Sequence, residues 1–306
     1  MTSGEEAFIV LTEEMNFTRA ARRMYISQQA LSKHIQKLEE KYGTILFQRK
    51  PKVRLTETGE ALLEMLRRQS AMERDVANRI SELEQGETGT ITLGISASGL
   101  RTFGIGVFEK YHRMHPGVQL DIAAAVSRVL EEDLLHGRMD CVIAVDPEAH
   151  EEIRVEPLFQ DALYLLVPEE IAAERSGSRT TADIETYADL PFVQNRQRSR
   201  TAGHINAFLD RKGINLRNIM TVSAYDVQLE LCRNLHTAMF TSGSFVAFGE
   251  TTILKDDMRA LRVRGLDEKV TVCLLTDRNR IYTKCAEDFF AVVRETLSGM
   301  KLRLSV

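Results

Sequence analysis

Residues 16–42 read NFTRAARRMYISQQALSKHIQKLEEKY, and this stretch decides the fold of the N-terminal part of the chain. Asn16 and Ser27 belong to the residue types that cap helix N-termini through a side-chain oxygen. The sequence therefore predicts a helix over residues 17–24 and a second helix over residues 28–42, joined by a turn of three or four residues.

The second predicted helix has two chemically different faces. One face is an apolar stripe with steps of four, three and four residues, made of Leu31, Ile35, Leu38 and Tyr42. The other face carries amides, a hydroxyl and ammonium groups, on Gln28, Gln29, Ser32, Lys33, Gln36 and Lys37. Amides and hydroxyls can bind base edges, and ammonium groups neutralise phosphates. The pattern favours a helix-turn-helix whose second helix enters the major groove, over the alternative of a solvated face in an ordinary helical pair.

The flanking residues complete a small domain. A first helix is predicted over residues 5–14, and Gly43 is suited to the left-handed conformation that ends the second helix. Beyond it, residues 45–49 and 53–55 are two short strand-like runs on either side of the cationic tip Lys50-Pro51-Lys52. This hairpin has the character of a wing that lies on the DNA backbone. A charged surface hairpin without that role is the alternative.

The distribution of charge indicates a local anionic partner. The whole chain of 306 residues has a formal net charge of −4. Residues 19–54, however, contain ten lysines and arginines against only Glu39 and Glu40, which is a net charge of +8. A basic module in an otherwise acidic chain favours nucleic acid as the partner. A membrane surface is less favoured because no amphipathic helix in the module has a broad apolar face.

A long helix is predicted after the basic module. Thr56 can cap it, and Gly59 is the only glycine or proline within residues 58–85. Residues at steps of three and four form one stripe on this helix: Leu62, Leu66, Gln69, Met72, Val76, Ile80 and Leu83. Such a stripe predicts the seam of a coiled-coil-like dimer. A helix packed within its own domain is the alternative.

From residue 90 the sequence changes to alternating strands and helices. Strands are predicted at 91–95, 118–124, 140–145, 153–159, 163–167, 192–194, 219–222, 237–240 and 270–275, and helices at 100–114, 127–136, 201–212, 226–234 and 284–300. Repeated strand–helix units predict parallel sheets covered on both faces, in two similar α/β lobes. The chain is expected to cross between the lobes near residues 161–166 and 268–272. Ligands of such folds bind outside the carboxyl ends of strands and between lobes.

Polar residues stand at the predicted strand ends. Ser96 and Ser98 lie between the first strand and the following helix, and Ser127 begins another helix, where backbone N–H groups favour anions. The equivalent place in the second lobe holds Asn195, Arg196 and Arg198. Hydroxyls, guanidinium groups and helix N-termini around a cleft would suit a small, anionic metabolite that carries a carboxylate. The alternative is that the arginines are solvated loop residues.

Other classes of protein lack their sequence signals here. The chain contains no P-loop, no GxGxxG after a strand, no HExxH and no GxSxG, so we expect no enzyme activity, no metal and no cofactor. An exported solute-binding protein would explain residues 90–306 but not residues 1–60, and the N-terminus has no secretory signal pattern. Four cysteines without CxxC spacing predict buried, reduced thiols in a cytoplasmic protein, rather than redox sensors: Cys141, Cys232, Cys273 and Cys285.

The combined pattern resembles one known family. FTRAARRMYISQQALSKHIQKLE at 17–39, GxxLFxR at 43–49 and LTETG at 55–59 are similar to the N-terminal domain of LysR-type transcriptional regulators. The likeness is dense over residues 5–66 and looser beyond them. It implies an N-terminal all-α winged helix-turn-helix with a long linker helix, then a two-lobed α/β effector domain of the periplasmic-binding-protein type.

The resemblance also implies boundaries. The winged helix-turn-helix would span residues 1–59, the linker and dimerisation helix residues 60–89, and the effector-binding domain residues 90–306. Within that domain, lobe I would comprise residues 90–160 and 270–306, and lobe II residues 161–269.

The resemblance implies partners and a DNA-binding face. Five residues of the second helix fall where the family meets the major groove: Gln28, Gln29, Ser32, Lys33 and Gln36. Thr18, Arg19 and Arg49 fall where contacts to the DNA backbone are usual. The implied protein is a bacterial, cytoplasmic homodimer or homotetramer that binds double-stranded promoter DNA and a small-molecule effector, with no membrane partner.

Two departures from the family pattern have consequences. Gln29 stands where the family usually has proline, which predicts an altered base preference. The second lobe lacks the family's glycine-rich turn and Leu-Pro pair. It has Arg233-Asn234-Leu235-His236 and then Phe240-Thr241-Ser242 instead. This difference predicts an unusual effector pocket.

Overall fold

The computed structural model describes residues 2–85, 88–195, 199–248, 251–252 and 257–298. The chain divides into two compact units. The first comprises residues 1–77 together with 136–138, and the second comprises residues 78–135 and 139–306.

The first unit contains a helical domain with a two-stranded hairpin. Its elements are α1 (Ser3–Glu14), α2 (Phe17–Arg23), α3 (Gln28–Tyr42), β1 (Phe47–Gln48), β2 (Arg54–Leu55) and α4 (Glu57–Gln85), which continues into the second unit. Strands β1 and β2 pair antiparallel, so the predicted hairpin is present with shorter strands than the sequence suggested. The predicted bounds of α3 are confirmed.

Local side-chain contacts explain where the helices begin and end. The Asn16 carboxamide oxygen accepts hydrogen bonds from the amides of Thr18 and Arg19, both at 3.0 Å, and so caps α2. The Ser27 hydroxyl accepts from the amide of Ala30 at 3.1 Å and caps α3. Gly43 has a φ of 65° and ends α3 in the left-handed conformation, as predicted.

Helix α1 begins earlier than the sequence pattern suggested. Thr2 accepts from the amide of Glu5, and the Glu5 carboxylate accepts from the amide of Thr2 at 2.8 Å, so the two residues form a capping box. The helix therefore starts at Ser3 rather than at Glu5. Backbone hydrogen bonding to Thr2 holds the pKa of the Glu5 carboxyl below its usual value.

The core of the first unit lies beneath α3. Leu31 and Ile35 are fully buried and Leu38 is nearly so, in a cluster that includes Phe8 of α1 and Phe47 of the hairpin. The prediction that Tyr42 belongs to this stripe is wrong. Tyr42 is 40% exposed, and the Lys41 ammonium lies 5.0 Å from its ring centroid, because the last turn of α3 extends past the core.

Helix α4 begins against the hairpin. The Thr56 hydroxyl accepts from the amide of Gly59 at 3.0 Å, which confirms Thr56 as the cap. A Cβ atom on Gly59 would lie 2.3 Å from the Leu46 carbonyl oxygen, so only glycine permits this close approach. Leu62 and Leu66, two members of the predicted dimer seam, are instead buried in the core of the first unit.

The second unit contains the α/β part of the chain. The elements of lobe I are β3 (Gly89–Ile95), α5 (Ala97–Gly99), a π-helical turn (Leu100–Gly104), α6 (Ile105–Met114), β4 (Val118–Ala124), α7 (Ser127–Leu135), β5 (Cys141–Val145), the first part of β6 (Ile153–Pro168), β14 (Lys269–Asp277) and α12 (Lys284–Ser298).

Lobe II comprises the rest of the second unit. Its elements are the end of β6, α8 (Glu169–Ser176), β7 (Thr181–Ala182), a 3-10 turn (Ile184–Thr186), β8 (Pro191–Asn195), α9 (Arg200–Lys212), β9 (Arg217–Val222), α10 (Tyr225–Leu235), β10 (Met239–Ser242), α11 (Gly243–Val246), β11 (Ala247–Phe248), β12 (Thr251–Thr252) and β13 (Met258–Val263).

The sheet of the second unit is mixed rather than purely parallel. Its strand order is β4-β3-β5-β14-β6-β13-β7, with β10 also paired to β6. Strand β3 is parallel to β4 and β5, as predicted, but β14 runs antiparallel to β5 and β6. Strands β8 and β9 pair parallel in lobe II as a separate sheet.

Strand β6 connects the two lobes. It is a single strand of 16 residues, whereas the sequence predicted two strands at 153–159 and 163–167. The ladder with β14 continues through Asp161 and Ala162 with one irregularity between Val272 and Cys273, so no break separates the two halves. The lobes are therefore joined by adjacent antiparallel strands. Within the described ranges, no helix is long and apolar enough to cross a membrane.

Candidate functional site

The polar face of α3 is open to solvent. Gln28, Gln29, Lys33 and Gln36 are exposed, and Ser32 is half-buried. In the described part of the chain, the side chains of Gln29, Ser32 and Lys33 form no hydrogen bond or ion pair. Because Leu31, Ile35 and Leu38 fix the opposite face, these free polar groups are held on a rigid support.

Two other residues of this face have weak local partners. The Thr18 hydroxyl donates to the Gln28 carboxamide oxygen at 3.2 Å, which links α2 to the start of α3. The Gln36 amide donates to Glu40 one turn later at 3.0 Å. All four side chains are exposed, so water or a ligand can replace either contact at little cost.

The two arginines predicted at the DNA backbone are also exposed but are partly engaged. Arg19 pairs with Glu14 at 3.1 Å. Arg49 pairs with Glu39 at 3.3 Å and lies 5.4 Å from the ring centroid of Phe17. The two guanidinium groups reach solvent, while the Glu14 and Glu39 side chains are half-buried. Each arginine can therefore turn from its carboxylate to a phosphate.

Tyr25 is a feature of this surface that the sequence interpretation placed only in a turn. It is 97% exposed and adopts a φ of 56°, which is uncommon for an aromatic residue. It lies in the turn between α2 and α3, beside the residues that begin the polar face. The sequence signal for this residue was an aromatic side chain in the turn of a helix-turn-helix.

Helix α4 presents an apolar stripe to solvent. Met72, Val76 and Ile80 of the predicted seam are exposed, and so is Met65, which the sequence analysis did not include. The side chain of Leu83 lies outside the described residues. An open groove of about 440 Å³ follows this face and is lined by Ala61, Glu64, Met65, Arg68, Gln69 and Met72.

The serines predicted to bind an effector are all half-buried in lobe I and already have local partners. The Ser96 hydroxyl accepts from the amide of Gly99 at 3.1 Å and lies 3.3 Å from the Ser98 hydroxyl. The Ser127 hydroxyl accepts from the amide of Val145 at 3.1 Å. The hydroxyls that were predicted to contact the effector thus already form hydrogen bonds within lobe I.

Asn195 lines a small cavity of lobe II. The cavity has a volume of about 70 Å³ and is also bordered by Phe192, Val193, Gln194, Ala202, Ile205, Asn206, Tyr225 and Phe240. Asn195 and Ser199 hydrogen-bond the Tyr225 phenol, whose pKa is raised because burial outweighs these bonds. Arg196 and Arg198, the other predicted residues of this group, lie outside the described residues.

The lobe II departure from the family pattern has a structural counterpart. His236 ends α10 with a φ of 51°, a conformation in which glycine is the favoured residue. Phe240 then stacks on Phe192 with ring centroids 5.9 Å apart and narrows the cavity beside Asn195.

Arg200 is the cation that the sequence analysis missed. It begins α9 in lobe II, and its Nη2 atom lies 2.9 Å from the Glu131 carboxylate and 3.2 Å from the Glu148 carboxylate of lobe I. Glu131 is buried, and hydrogen bonding to it raises the pKa of the Arg200 guanidinium. Because 69 residues separate the partners, no local sequence pattern indicates this pairing.

The cysteines are placed as the sequence predicted. All four are buried, and none of them forms a disulfide in the described part of the chain. Burial raises the pKa of the Cys232 and Cys273 thiols to about 11, and it raises the pKa of Cys141 as well. Since the thiolate is the reactive form, this environment disfavours redox sensing.

Two family models match the chain. Residues 6–60 match the model described as a bacterial regulatory helix-turn-helix protein of the lysR family. Residues 84–298 match the model described as the LysR substrate binding domain.

The curated proteins with similar sequences include transcriptional regulators. The HTH-type transcriptional regulator AlsR of Bacillus subtilis is 29% identical over 61% of this chain and 61% of its own length. The regulator EstR of Acinetobacter baylyi is 31% identical over 52% of this chain and 53% of its own length. The matched region thus spans little more than half of these two relatives. A probable RuBisCO transcriptional regulator of Emiliania huxleyi is 24% identical over 93% of this chain and 91% of its own.

Solved structures share the fold. ArgP from Mycobacterium tuberculosis superposes with a TM-score of 0.71 at 17% identity, covering 98% of both chains. Full-length CbnR in complex with its target DNA superposes with a TM-score of 0.67 at 20% identity, covering 96% of this chain and 98% of CbnR. The family is one of transcriptional regulators rather than enzymes, in agreement with the sequence prediction. This chain belongs to the LysR family of helix-turn-helix transcriptional regulators.

Proposed function

We propose that this protein regulates transcription by binding dyad-symmetric promoter DNA through α3 and the hairpin, under the control of a small anionic metabolite. The observation that carries the proposal is the exposed polar face of α3, in which Gln29, Ser32 and Lys33 have no partner in the described part of the chain. Polar side chains held rigidly and left unpaired are suited to hydrogen-bond base edges.

Each predicted DNA-binding residue has a role in this proposal. Base edges are read by Gln28, Gln29, Ser32 and Gln36, while Lys33 neutralises charge next to them. Phosphates are bound by Thr18, Arg19 and Arg49. The solved complex of CbnR with its target DNA, which shares this fold, supports the same use of the N-terminal domain here.

The proposed active form is a homodimer or a homotetramer in the bacterial cytoplasm. The exposed stripe of Met65, Met72, Val76 and Ile80 on α4 supports pairing with a second copy. Two copies would present two α3 helices to two half-sites, which is why the proposed DNA target has dyad symmetry.

The proposed effector binds between the two lobes of the second unit. Ser96, Ser98, Ser127 and Asn195, with Arg196 and Arg198 beyond the described residues, are the proposed contacts. A carboxylate is the chemical group that such hydroxyls and guanidinium groups favour. The 70 Å³ cavity beside Asn195 is smaller than typical ligand sites, so the effector would bind with rearrangement of the lobes.

Salt dependence of DNA binding tests the proposal. We expect the full chain to select dyad-symmetric fragments from random DNA, with an affinity that falls linearly with salt on logarithmic axes because several phosphates are neutralised. Fluorescence anisotropy between 50 and 200 mM salt would show a loss of roughly 10³-fold or more for about six phosphate contacts. Absence of selection, or binding that salt does not change, would contradict the regulator function.

A further inference from the structure

Among the described residues, three pairs of polar or charged side chains connect the two lobes of the second unit. Arg200 of lobe II pairs with Glu131 of lobe I, and the His204 ring of lobe II lies 2.9 Å from the carboxylate of Asp146, which follows β5 in lobe I. At a third place, Arg101 of lobe I pairs with Asp226 of lobe II at 3.0 Å. The side chains of the three pairs differ greatly in how far they are buried.

The Arg200 pair is the most enclosed of the three. The Arg200 side chain is 20% exposed and the Glu131 side chain is 8% exposed. The Arg101 and Asp226 side chains, in contrast, are 53% and 45% exposed. Both terminal nitrogens of Arg200 donate to the two oxygens of the same Glu131 carboxylate, and Nη1 also donates to the Val145 carbonyl at 3.3 Å.

This geometry is that of a receptor for an oxyanion. Two parallel N–H donors meeting two carboxylate oxygens form the bidentate arrangement by which arginine recognises carboxylate and phosphate ligands. Glu131 supplies that carboxylate from within the chain. It lies one turn after Ser127 on α7, and Arg200 directly follows Ser199, which caps α9 and bonds Tyr225 beside the lobe II cavity.

We propose that Arg200 is the anion anchor of the interlobe cleft and that Glu131 is a built-in competitor for it. An effector carboxylate or phosphate binds by replacing Glu131 at the Arg200 guanidinium. This inference deepens the proposed function, because it rests on an anionic effector between the lobes and names the residue that holds its charge. The internal Glu131 carboxylate is present at a high effective concentration beside Arg200. An effector anion therefore binds only if its affinity for Arg200 is high enough to displace Glu131.

Replacing Glu131 by glutamine tests this competition. The amide keeps the shape of the side chain but carries no charge, so Glu131→Gln weakens the buried internal partner. It leaves Arg200 and its exposed second partner, Glu148, in place. With succinate and inorganic phosphate as probes, titration calorimetry on the full chain should show at least tenfold tighter binding of one probe to Glu131→Gln than to the parent. The two probes distinguish a carboxylate effector from a phosphate effector.

Two further variants separate the mechanism from simple loosening of the lobes. Asp226→Asn also removes an interlobe ion pair but does not free Arg200, so it should bind the probes as the parent does. The double variant Arg200→Gln, Glu131→Gln should lose the gained affinity. Both glutamine side chains can still form hydrogen bonds, so we expect this double variant to fold. Circular dichroism and the DNA binding of the N-terminal domain would verify its folding.

The remaining outcomes overturn the inference. Equal probe binding by Glu131→Gln and the parent, including no binding by either, shows that Glu131 does not compete for an anion site. Equal gains in Glu131→Gln and Asp226→Asn show that opening of the lobes, and not release of Arg200, is the cause. Salt-dependent DNA binding, measured on the same preparations, reports separately whether the regulator function holds.

Discussion

The polar face of α3 and the proposed effector site hold similar side chains in opposite states. On α3, Gln29, Ser32 and Lys33 face solvent without partners in the described part of the chain. In the proposed effector site, the Ser96 and Ser127 hydroxyls accept hydrogen bonds from backbone amides, and Arg200 is bound to a buried glutamate. A surface that reads an external ligand directly keeps its donors and acceptors free. A site that is switched by a ligand holds them in internal contacts that the ligand must replace.

This difference determines what each region contributes to stability. Substitution of a free side chain on α3 removes no contact within the protein, so its effect should be confined to DNA binding. Substitution of an engaged side chain in the cleft breaks a contact, so its first effect is on folding or on the arrangement of the lobes.

The largest effect is expected at the buried ion pair. Arg200→Ala leaves the Glu131 carboxylate buried without its bidentate partner, which should lower the free energy of unfolding of the second unit by about 3 kcal/mol. Scanning calorimetry can measure the loss in the transition of that unit. A loss below about 0.5 kcal/mol, the range of ordinary surface substitutions, would show that the pair is not a structural contact.

The next largest effect is expected at the close approach between α4 and the hairpin. Gly59→Ala would place a Cβ atom 2.3 Å from the Leu46 carbonyl oxygen, and we expect a loss of about 2 kcal/mol in the first unit. Gly106→Ala in α6 is the matched control, because a Cβ there meets no atom within 4 Å. The control should be neutral or stabilising by up to about 1 kcal/mol, since alanine is the better helix former. Similar losses in both variants, measured by urea denaturation, would contradict the role of the close approach.

A smaller effect is expected at the start of α2. Asn16→Ala removes the acceptor for two backbone amides and should cost the first unit about 1 kcal/mol. Asn16→Asp restores an acceptor and should recover most of the loss. Hydrogen exchange of the α2 amides in the three proteins would measure the difference, and unchanged protection in Asn16→Ala would show that the cap does not hold the helix.

Sequence reasoning succeeded where local chemistry decides structure. The caps Asn16, Ser27 and Thr56 and the glycine stop at Gly43 each act through contacts within a few residues, so a pattern reveals them. The alternation of apolar residues likewise predicted most strands and helices of the second unit. Tyr42 was misplaced because periodicity alone does not show where a core ends.

Contacts between distant residues were not predictable in the same way. The continuity of β6 depends on a ladder with β14, more than 100 residues away, and the Arg200–Glu131 pair joins two lobes. The division of the α4 stripe also required the fold, because Leu62 faces the core while Met72 faces solvent. The sequence identified the candidate DNA-binding residues from one helix face, but the cleft residues come from several separate elements.

The base preference of three variants tests the central contrast most directly. Binding sites would be selected from random DNA with the parent chain and with each of the variants Gln29→Ala, Ser32→Ala and Arg49→Ala. Each protein would then be titrated on the selected sites. We expect Gln29→Ala and Ser32→Ala to melt like the parent but to lose about 1–3 kcal/mol of discrimination at one or two base positions. Arg49→Ala should weaken all sites by a similar factor and reduce the salt slope by about 1. Uniform weakening by all three variants, with base preference unchanged, would contradict the assignment of α3 as the reading surface.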